Sequence, residues 1–297
     1  MKFFCTLLMV FCCSALVFSQ DTEECFIPKI ETDTAPLHYS ERKLPQRVSD
    51  FEPVTFNIYF WGFRLEDNTG NVAFNQENID NAVRWLNEIY NQCNVSFNLL
   101  GTEIILSDEH YILENQIEFL SMIRDMRSNG YVREDAFNIY VSNQYFGFGG
   151  AAAAYFDTLA GIPAVKLIDS GTIQHEVGHC FSLLHTNQII DATNCESATR
   201  DPNNKYYNAD ITGDLVTDTD ACYIFTSEID TDSCTLSSNR NDCFGYPYTI
   251  PSSLLHNYMT IGAPSCTKDQ FTNGQFVRIR QAIELDPEGK FSKARVD

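Results

Sequence analysis

Basic residues are scarce in this chain. Only 20 lysines and arginines stand against 40 aspartates and glutamates, which gives a formal net charge of −20 over 297 residues. Binding to a phosphate backbone or to an anionic membrane surface requires a surplus of positive charge. The composition therefore argues against nucleic acid and against a membrane as partners, and most of the acidic side chains are expected to form a solvated surface.

Long apolar runs are also missing, except at the start of the sequence. A run from Phe3 to Phe18 ends before the small Ser19, which is typical of a secretory signal peptide and too short for a membrane span. We therefore expect residues 1–19 to be a signal peptide and residues 20–49 to be a leader or short propeptide. Residues 50–297 are then expected to form one domain of a secreted, soluble protein.

The spacing of a zinc finger is absent, although the chain has 11 cysteines. Three belong to the predicted signal, and an even number in the remainder of an exported protein favours disulfides. Sequence alone does not choose among the possible pairings. Cys180 is expected to pack in the core, and Cys25 of the leader is a disulfide partner, a linker cysteine or, as the least favoured alternative, a thiolate that caps a metal ion.

Histidine is rare too, and its distribution is uneven. Of six histidines, three fall in the string HEVGHCFSLLH from His175 to His185. Residues four apart lie on one helical face, so His175 and His179 can bind one metal ion, with Glu176 beside them as a general base. His185 reaches the same ion only if the helix ends near Ser182 and the chain turns back. Three histidines leave a position open for water, as catalytic zinc requires.

The alternative interpretation of this string is a buried amphipathic helix whose histidines bond to core neighbours. That interpretation does not account for a glutamate and three histidines at this spacing in a chain with so few histidines. We therefore predict a zinc site.

Apolar periodicity predicts an α/β layout. An alternation of period two predicts strands that begin at Val54, Val95 and Phe137. Helical spacing predicts one helix that ends near Gln92 and another that passes through Leu120. Strands that alternate with helices in this way form a sheet covered by helices.

A last helix is predicted after residue 271. Thr272 and Gln275 have the spacing of a capping box, and Phe271 with Phe276 can form the hydrophobic staple around it. Phe276 and Ile279 give this helix an apolar side, which we expect to pack on a small lower subdomain.

The ordered motifs resemble those of the metzincin metallopeptidases. These enzymes share the pattern HExxHxxxxxH, and Asn257-Tyr258-Met259 is the candidate for their methionine turn, in which Met259 forms a hydrophobic base under the metal. The resemblance covers about Val54 to Leu285. It implies a twisted mixed sheet with an active-site helix in an upper subdomain, above a smaller, loop-rich lower subdomain that ends in a helix. It also implies a secreted zinc endopeptidase with protein or peptide substrates.

Further strings narrow the resemblance to the pappalysin branch, which includes ulilysin-like enzymes. They are LLHT, HNYM, FTNGQFVRIRQ and Gly213-Asp214 leading to Asp218-Thr219. The resemblance implies that this loop holds calcium. Asp214, Asp218, Thr219 and Asp220 place several hard oxygen donors close together, as calcium prefers. We therefore expect a structural calcium ion here.

The same resemblance assigns a substrate-binding edge and disulfides. In metzincins an extended substrate adds to the strand before the zinc helix, and residues 149–154 fit that strand because small side chains let another backbone approach. A flexible glycine and alanine connector is the alternative. The predicted substrate-binding residues are Gly149, Gly150, Ala151 and Ala152. The predicted disulfides are Cys195 with Cys243, and Cys266 with either Cys222 or Cys234.

The loops between His185 and Met259 are acidic. The stretch 191–242 has 11 aspartates and glutamates against three lysines and arginines. We expect these loops to line the pocket for the residue after the scissile bond, where an acidic lining attracts a basic side chain. Pappalysin-like enzymes accept arginine or lysine at that position, so we expect cleavage before arginine or lysine.

Two residues depart from the family pattern. Ser182 stands where the family usually has glycine, and a side chain in a left-handed helix end costs about 1 kcal/mol. Ile261 stands where related enzymes often carry a tyrosine. These departures favour a first alternative, a secreted binding protein of impaired activity. A second alternative is a calcium-stabilised structural domain with incidental histidines.

Overall fold

The computed structural model describes residues 44–146, 149–169, 171–186, 195–220, 229–230, 232–236, 239–261 and 266–296. The predicted signal peptide, Cys25 and Cys222 lie outside these residues. Among the described helices, none combines the length and the apolar character that a bilayer crossing requires.

A five-stranded sheet forms the upper part of the molecule, with the strand order β2-β1-β4-β7-β6. All neighbouring strands are parallel except β6, which runs antiparallel to β7 at the edge. The five strands of the sheet are β1 Val54–Arg64, β2 Val95–Leu106, β4 Phe137–Ser142, β6 Ala151–Ala152 and β7 Leu159–Pro163. Two short strands, β3 Ile112–Leu113 and β5 Gln144–Tyr145, pair with each other outside it. The predicted α/β class with a mixed sheet is confirmed.

Among the described residues six α-helices accompany the sheet, and several begin with a side-chain cap. They are α1 Gln76–Tyr90, α2 Asp108–Tyr111, α3 Gln116–Ser128, α4 Thr172–Cys180, α5 Asn273–Leu285 and α6 Lys290–Ala294. The Asn75 side chain accepts a bond from a backbone N–H at the start of α1, and Asn115 does the same for α3. Each cap satisfies backbone donors that have no partner inside the helix.

The two faces of the sheet bury different clusters of side chains. Phe56, Ile58 and Phe60 of β1 point into the larger cluster, which also contains residues of α1, α4 and α5. Trp61 and Phe63 of the same strand belong to a second cluster beneath α3. Because successive residues of a strand point to opposite faces, the period-two pattern of β1 allows both clusters to form.

Phe181, directly after α4, fixes that helix to the sheet. Its ring is fully buried and lies against five others, those of Phe56, Tyr90, Phe97, Phe137 and Phe291. Truncating such a ring to alanine costs about 3–5 kcal/mol. The position of α4 relative to the sheet is therefore set by apolar packing close to the predicted metal ligands.

The predicted caps of α5 are present. Thr272 Oγ1 accepts from Gln275 N (3.1 Å), the Gln275 side chain accepts from Thr272 N (2.9 Å), and the rings of Phe271 and Phe276 lie 5.7 Å apart. The expected packing on a separate lower subdomain needs correction. Phe276 and Ile279 belong to the main core that β1 also enters, because α5 is buried on most sides and spans both parts.

The far end of α5 packs on the beginning of the described chain. Arg280 donates to the carbonyl oxygens of Asn94 (2.8 Å) and Glu52 (2.6 Å), and Gln281 donates to that of Pro45 (2.9 Å). Leu44 also contacts the main core. The folded body therefore extends into the segment that was predicted to be leader.

The lower part has short strands and a small core of its own. Its strands are β8 Ile229–Asp230, β9 Thr235–Leu236, β10 Asn239–Asn241 and β11 Pro247–Thr249. The predicted disulfide between Cys195 and Cys243 is present, and Cys266 pairs with Cys234. Cys180 is a free, buried thiol, as expected. Covalent links thus support a region in which little apolar surface is buried.

Candidate active site

Helix α4 carries the predicted ligands through the centre of the molecule. It begins after Gly171, whose backbone N–H donates to the Gln174 side chain (2.8 Å), and its residues 173–180 are all buried. Tyr90 donates from its hydroxyl to the Gln174 carbonyl oxygen (2.8 Å). The helix ends as predicted: Ser182 has a positive φ of 67°, which reverses the chain so that His185 returns to the helix.

The three histidines meet at their Nε2 atoms. The Nε2 of His179 lies 2.9 Å from that of His175 and 3.0 Å from that of His185, and the remaining pair is 3.2 Å apart. The side chains of His175 and His179 on α4 therefore converge on one position with that of His185, which follows the turn.

The other ring nitrogens fix the tautomers. His175 Nδ1 donates to the carbonyl oxygen of Tyr258 (2.6 Å), and His179 Nδ1 donates to that of Leu183 (2.7 Å). A carbonyl oxygen only accepts, so these Nδ1 atoms carry the hydrogen and the Nε2 atoms present lone pairs. Burial lowers the pKa of His175 to about 4. Burial, together with His175 and His185, also lowers the pKa of His179 well below its usual range. Both rings are neutral at neutral pH.

This arrangement fits a zinc ion. Buried lone pairs that face one another at this distance repel unless a cation lies between them. Tetrahedral zinc, with bonds of about 2.0–2.1 Å to nitrogen, places its ligand atoms roughly 3.3 Å apart. The nitrogen separations of 2.9–3.2 Å are close to that value. Neutral imidazoles held by carbonyl oxygens are also the usual zinc donors.

Glu176 lies next to the ligands on the side of the edge strand. Its side chain is 1% exposed. A Cβ atom at Gly150 would lie 2.5 Å from its Oε1, so the missing side chain at Gly150 makes room for this carboxylate. Ala151 and Ala152 form the antiparallel edge strand β6, which places the predicted substrate-binding segment beside Glu176.

The predicted methionine turn lies under α4. Met259 is fully buried, and its Sδ would be 2.9 Å from a Cβ at Gly178, between the two helical ligands. The Asn257 side chain accepts from Met259 N (2.9 Å) and donates to Gln275 of α5 (2.7 Å). Because Tyr258 in the same turn supplies the acceptor for His175, the turn orients a ligand as well as filling space.

The loop of residues 214–220 (the acidic loop) differs from its predicted arrangement because the Arg200 side chain enters it. The guanidinium lies 3.2 Å from Asp214 Oδ1 and donates to Thr219 Oγ1 (3.0 Å) and to the Val216 carbonyl oxygen (2.9 Å). Thr219 Oγ1 donates in turn to Asp214 (2.8 Å). Burial raises the pKa of Asp214, and Arg200 opposes that shift. Two of the four expected calcium ligands are thus engaged by an internal cation.

Asp218 has another role. Its carboxylate accepts from Thr272 Oγ1 (2.7 Å) and from the backbone N–H of Gly274 (2.8 Å), so it caps the start of α5. Within the described residues, the carboxylate oxygens of Asp214, Asp218 and Asp220 do not all lie within 4.8 Å of one another. The structure gives no support to the calcium prediction, because Arg200 and the start of α5 bind oxygen atoms of Asp214, Thr219 and Asp218.

Some functional groups were not found from the sequence. The carbonyl oxygens of Leu183 and Tyr258 orient two ligands, and Arg200 neutralises the buried Asp214. Backbone acceptors carry no signal in residue identity. Arg200 could have been noticed as one of only three basic residues in an acidic stretch.

The fold and the histidine centre together define a metallopeptidase. No protein-family model matches the chain. An extracellular metalloprotease of Neurospora crassa is 25% identical over 246 residues, which cover 76% of this chain and 73% of that protein. Promirolysin of Tannerella forsythia, in a mutant form, has a similar structure with a TM-score of 0.56 at 16% identity, covering 88% of each chain.

Mirolysin in complex with a compound is also similar, with a TM-score of 0.53 at 15% identity, covering 83% of this chain and 97% of mirolysin. These likenesses confirm the predicted metzincin-type fold. Together with the sequence relative they confirm the resemblance to pappalysin-like metallopeptidases.

Proposed function

We propose that this protein is a secreted zinc endopeptidase that hydrolyses peptide bonds in proteins or peptides. The observation that carries the proposal is the meeting of three histidine Nε2 atoms beside a buried glutamate, with two of the rings oriented by backbone carbonyl oxygens. The extracellular relative supports secretion. So does the apolar run at residues 3–18, which has the character of a signal peptide.

His175, His179 and His185 would hold the zinc, and Asp214, Asp218, Thr219 and Asp220 would not be needed for a second ion. When bound, zinc supplies the Lewis acidity that activates water and polarises the scissile carbonyl. Glu176 accepts the proton of the attacking water on its carboxylate and delivers it to the leaving amine. Met259 excludes water from the space beneath the ligands.

The substrate would lie along β6 as an added antiparallel strand. Ala151 and Ala152 hold that edge, and Gly149 and Gly150 precede it without side chains that could obstruct a peptide. Such binding fixes the scissile carbonyl over Glu176, since Gly150 lies against that carboxylate.

Specificity would come from the acidic loops after His185. We propose a preference for arginine or lysine after the scissile bond, because the stretch 191–242 carries a large excess of acidic residues. Asp214 does not contribute to that attraction, since Arg200 neutralises it. Peptide-library profiling at low and high salt tests this: the preference should weaken with salt, and a preference for large apolar residues would contradict it.

Two variants separate catalysis from metal binding. Glu176→Ala should keep zinc and fold but lose about 10²- to 10⁴-fold in turnover, because only proton transfer is removed. His179→Ala should lose zinc itself. Bound zinc and peptide cleavage are measured side by side in both variants and in His256→Ala, which removes a histidine that bonds to the Thr267 carbonyl oxygen and is not one of the three that converge.

The control variant should match the parent in zinc content and activity. If Glu176→Ala cleaved peptides as fast as the parent, the mechanism would be wrong. If the parent bound zinc tightly but cleaved nothing, the protein would be a binding protein with a metallopeptidase fold.

A further inference from the structure

The turn that ends α4 adopts a conformation that its sequence disfavours. The N–H of Ser182 donates to His179 O (2.8 Å) and that of Leu183 to Gly178 O (2.9 Å), a pairing in which the first of the two donor residues adopts the left-handed conformation. Ser182 is that residue, with φ of 67°. Glycine is the residue that adopts this conformation without a steric cost, so the serine has to be held there.

The same turn sets the orientation of a metal ligand. The carbonyl oxygen of Leu183, the residue after the strained serine, accepts the Nδ1–H of His179 at 2.7 Å. His179 is central, because its Nε2 lies within 3.0 Å of both other ligand nitrogens. Relaxation of Ser182 toward a negative φ would rotate the following peptide and move this acceptor.

Arg278 of α5 contacts the turn. Its Nε donates to the carbonyl oxygen of Ser182 at 2.9 Å, and its Nη2 lies 3.5 Å from Ser182 Oγ. Arg278 is only 5% exposed, so these bonds are shielded from water. Both the backbone oxygen and the side chain of the left-handed residue are thus engaged by one planar guanidinium.

We propose that Arg278 is a positioning residue for the metal centre. It holds Ser182 in the left-handed conformation, and Ser182 in turn keeps the Leu183 carbonyl oxygen in place for His179. The inference rests on the zinc site of the proposed function and adds a residue from a different helix, 96 positions along the chain from the turn.

Zinc affinity of the purified full chain tests the proposal. Arg278→Met should weaken Zn²⁺ binding roughly 10- to 100-fold, as is typical when a group that orients a ligand is lost. Ser182→Gly should bind Zn²⁺ at least as tightly as the parent. In the double variant the glycine adopts the turn unaided, so most of the lost affinity should return. Co²⁺ absorption spectra report the ligand geometry independently of any peptide cleavage.

Arg280→Met is the matched control. Arg280 is on the same helix, is 1% exposed and also donates to backbone carbonyl oxygens, but those belong to Asn94 and Glu52 at the other end. Its loss should lower the melting temperature without changing Zn²⁺ affinity. If Arg278→Met does not fold, Arg278→Lys, with and without Ser182→Gly, gives the same comparison.

Each result decides the proposal. Weaker Zn²⁺ binding in Arg278→Met that Ser182→Gly restores supports it. Unchanged affinity, or a loss that glycine does not restore, overturns it, because Arg278 would then serve only packing. A parent protein that binds no Zn²⁺ at all would instead overturn the proposed function.

Discussion

Two regions of this molecule are rich in the side chains that bind metals, and they use them differently. In the histidine centre, three Nε2 atoms face one another within 3.2 Å. In the acidic loop, Asp214 faces a guanidinium that the chain itself supplies. The number of donor residues is therefore a poor guide to a metal site. What matters is whether the folded chain already provides a partner of opposite charge.

The physical origin of the difference is the local backbone. Helix geometry fixes His175 and His179 on one face whatever surrounds them. The positions of loop carboxylates depend on the partners that the rest of the chain supplies, and here Arg200 binds Asp214 Oδ1 and the N-terminus of α5 binds Asp218.

The largest expected effect follows from removing zinc. Dialysis against 1,10-phenanthroline should abolish peptide cleavage, and added Zn²⁺ should restore it, because no residue of the chain replaces the lost Lewis acid. Metal analysis accompanies each assay. Full cleavage by protein with verified absence of zinc would refute the role that we assign to the histidine centre.

The next effect concerns the internal cation of the acidic loop. Arg200→Ala leaves the buried Asp214 without its partner and should destabilise the fold by about 3–5 kcal/mol in denaturant unfolding at neutral pH. Burial raises the folded-state pKa of Asp214, so lower pH protonates it in the folded state and the penalty should shrink.

The control for that variant is Arg84→Ala. Arg84 forms an exposed pair with Glu88 on α1, and such pairs contribute about 0–1 kcal/mol. If Arg200→Ala were no more harmful than Arg84→Ala, Arg200 would not be the counter-charge of this loop.

A smaller effect is expected at the edge of the active site. Gly150→Ala adds a Cβ that would lie 2.5 Å from Glu176 Oε1, so the carboxylate must shift. Misplacement of a catalytic group by about 1 Å costs roughly 10²-fold in rate, or about 2.7 kcal/mol. Steady-state kinetics should show this loss with zinc content unchanged. Parental kcat/KM in Gly150→Ala would show that Glu176 does not need its observed position.

The smallest effect is expected from calcium removal. Because Arg200 already neutralises Asp214, stripping Ca²⁺ with EGTA should leave the melting temperature unchanged, provided that zinc is shown to remain bound. A drop that added Ca²⁺ reverses would restore the original calcium prediction and would erase the contrast between the two regions.

Much of this architecture was predictable because its causes are local. The alternation from Val54 gave β1, and the Thr272–Gln275 spacing gave the capping box. Because His185 has to return to the helix, the sequence correctly predicted that the chain reverses its direction near Ser182. The packing of α5 was predicted less well, since an apolar side does not specify which of several cores it enters.

By itself, the sequence determined that three histidines converge, that a glutamate lies beside them and that β1, β2 and β4 are strands, since each follows from the spacing of residues in a short segment. Only the tertiary structure decided which backbone oxygens orient His175 and His179, and that Arg278 donates to the carbonyl oxygen of Ser182 in the turn after α4. It also decided that Arg200 enters the loop expected to hold calcium. These arrangements depend on contacts between residues distant in sequence, and such contacts form only when the whole chain packs.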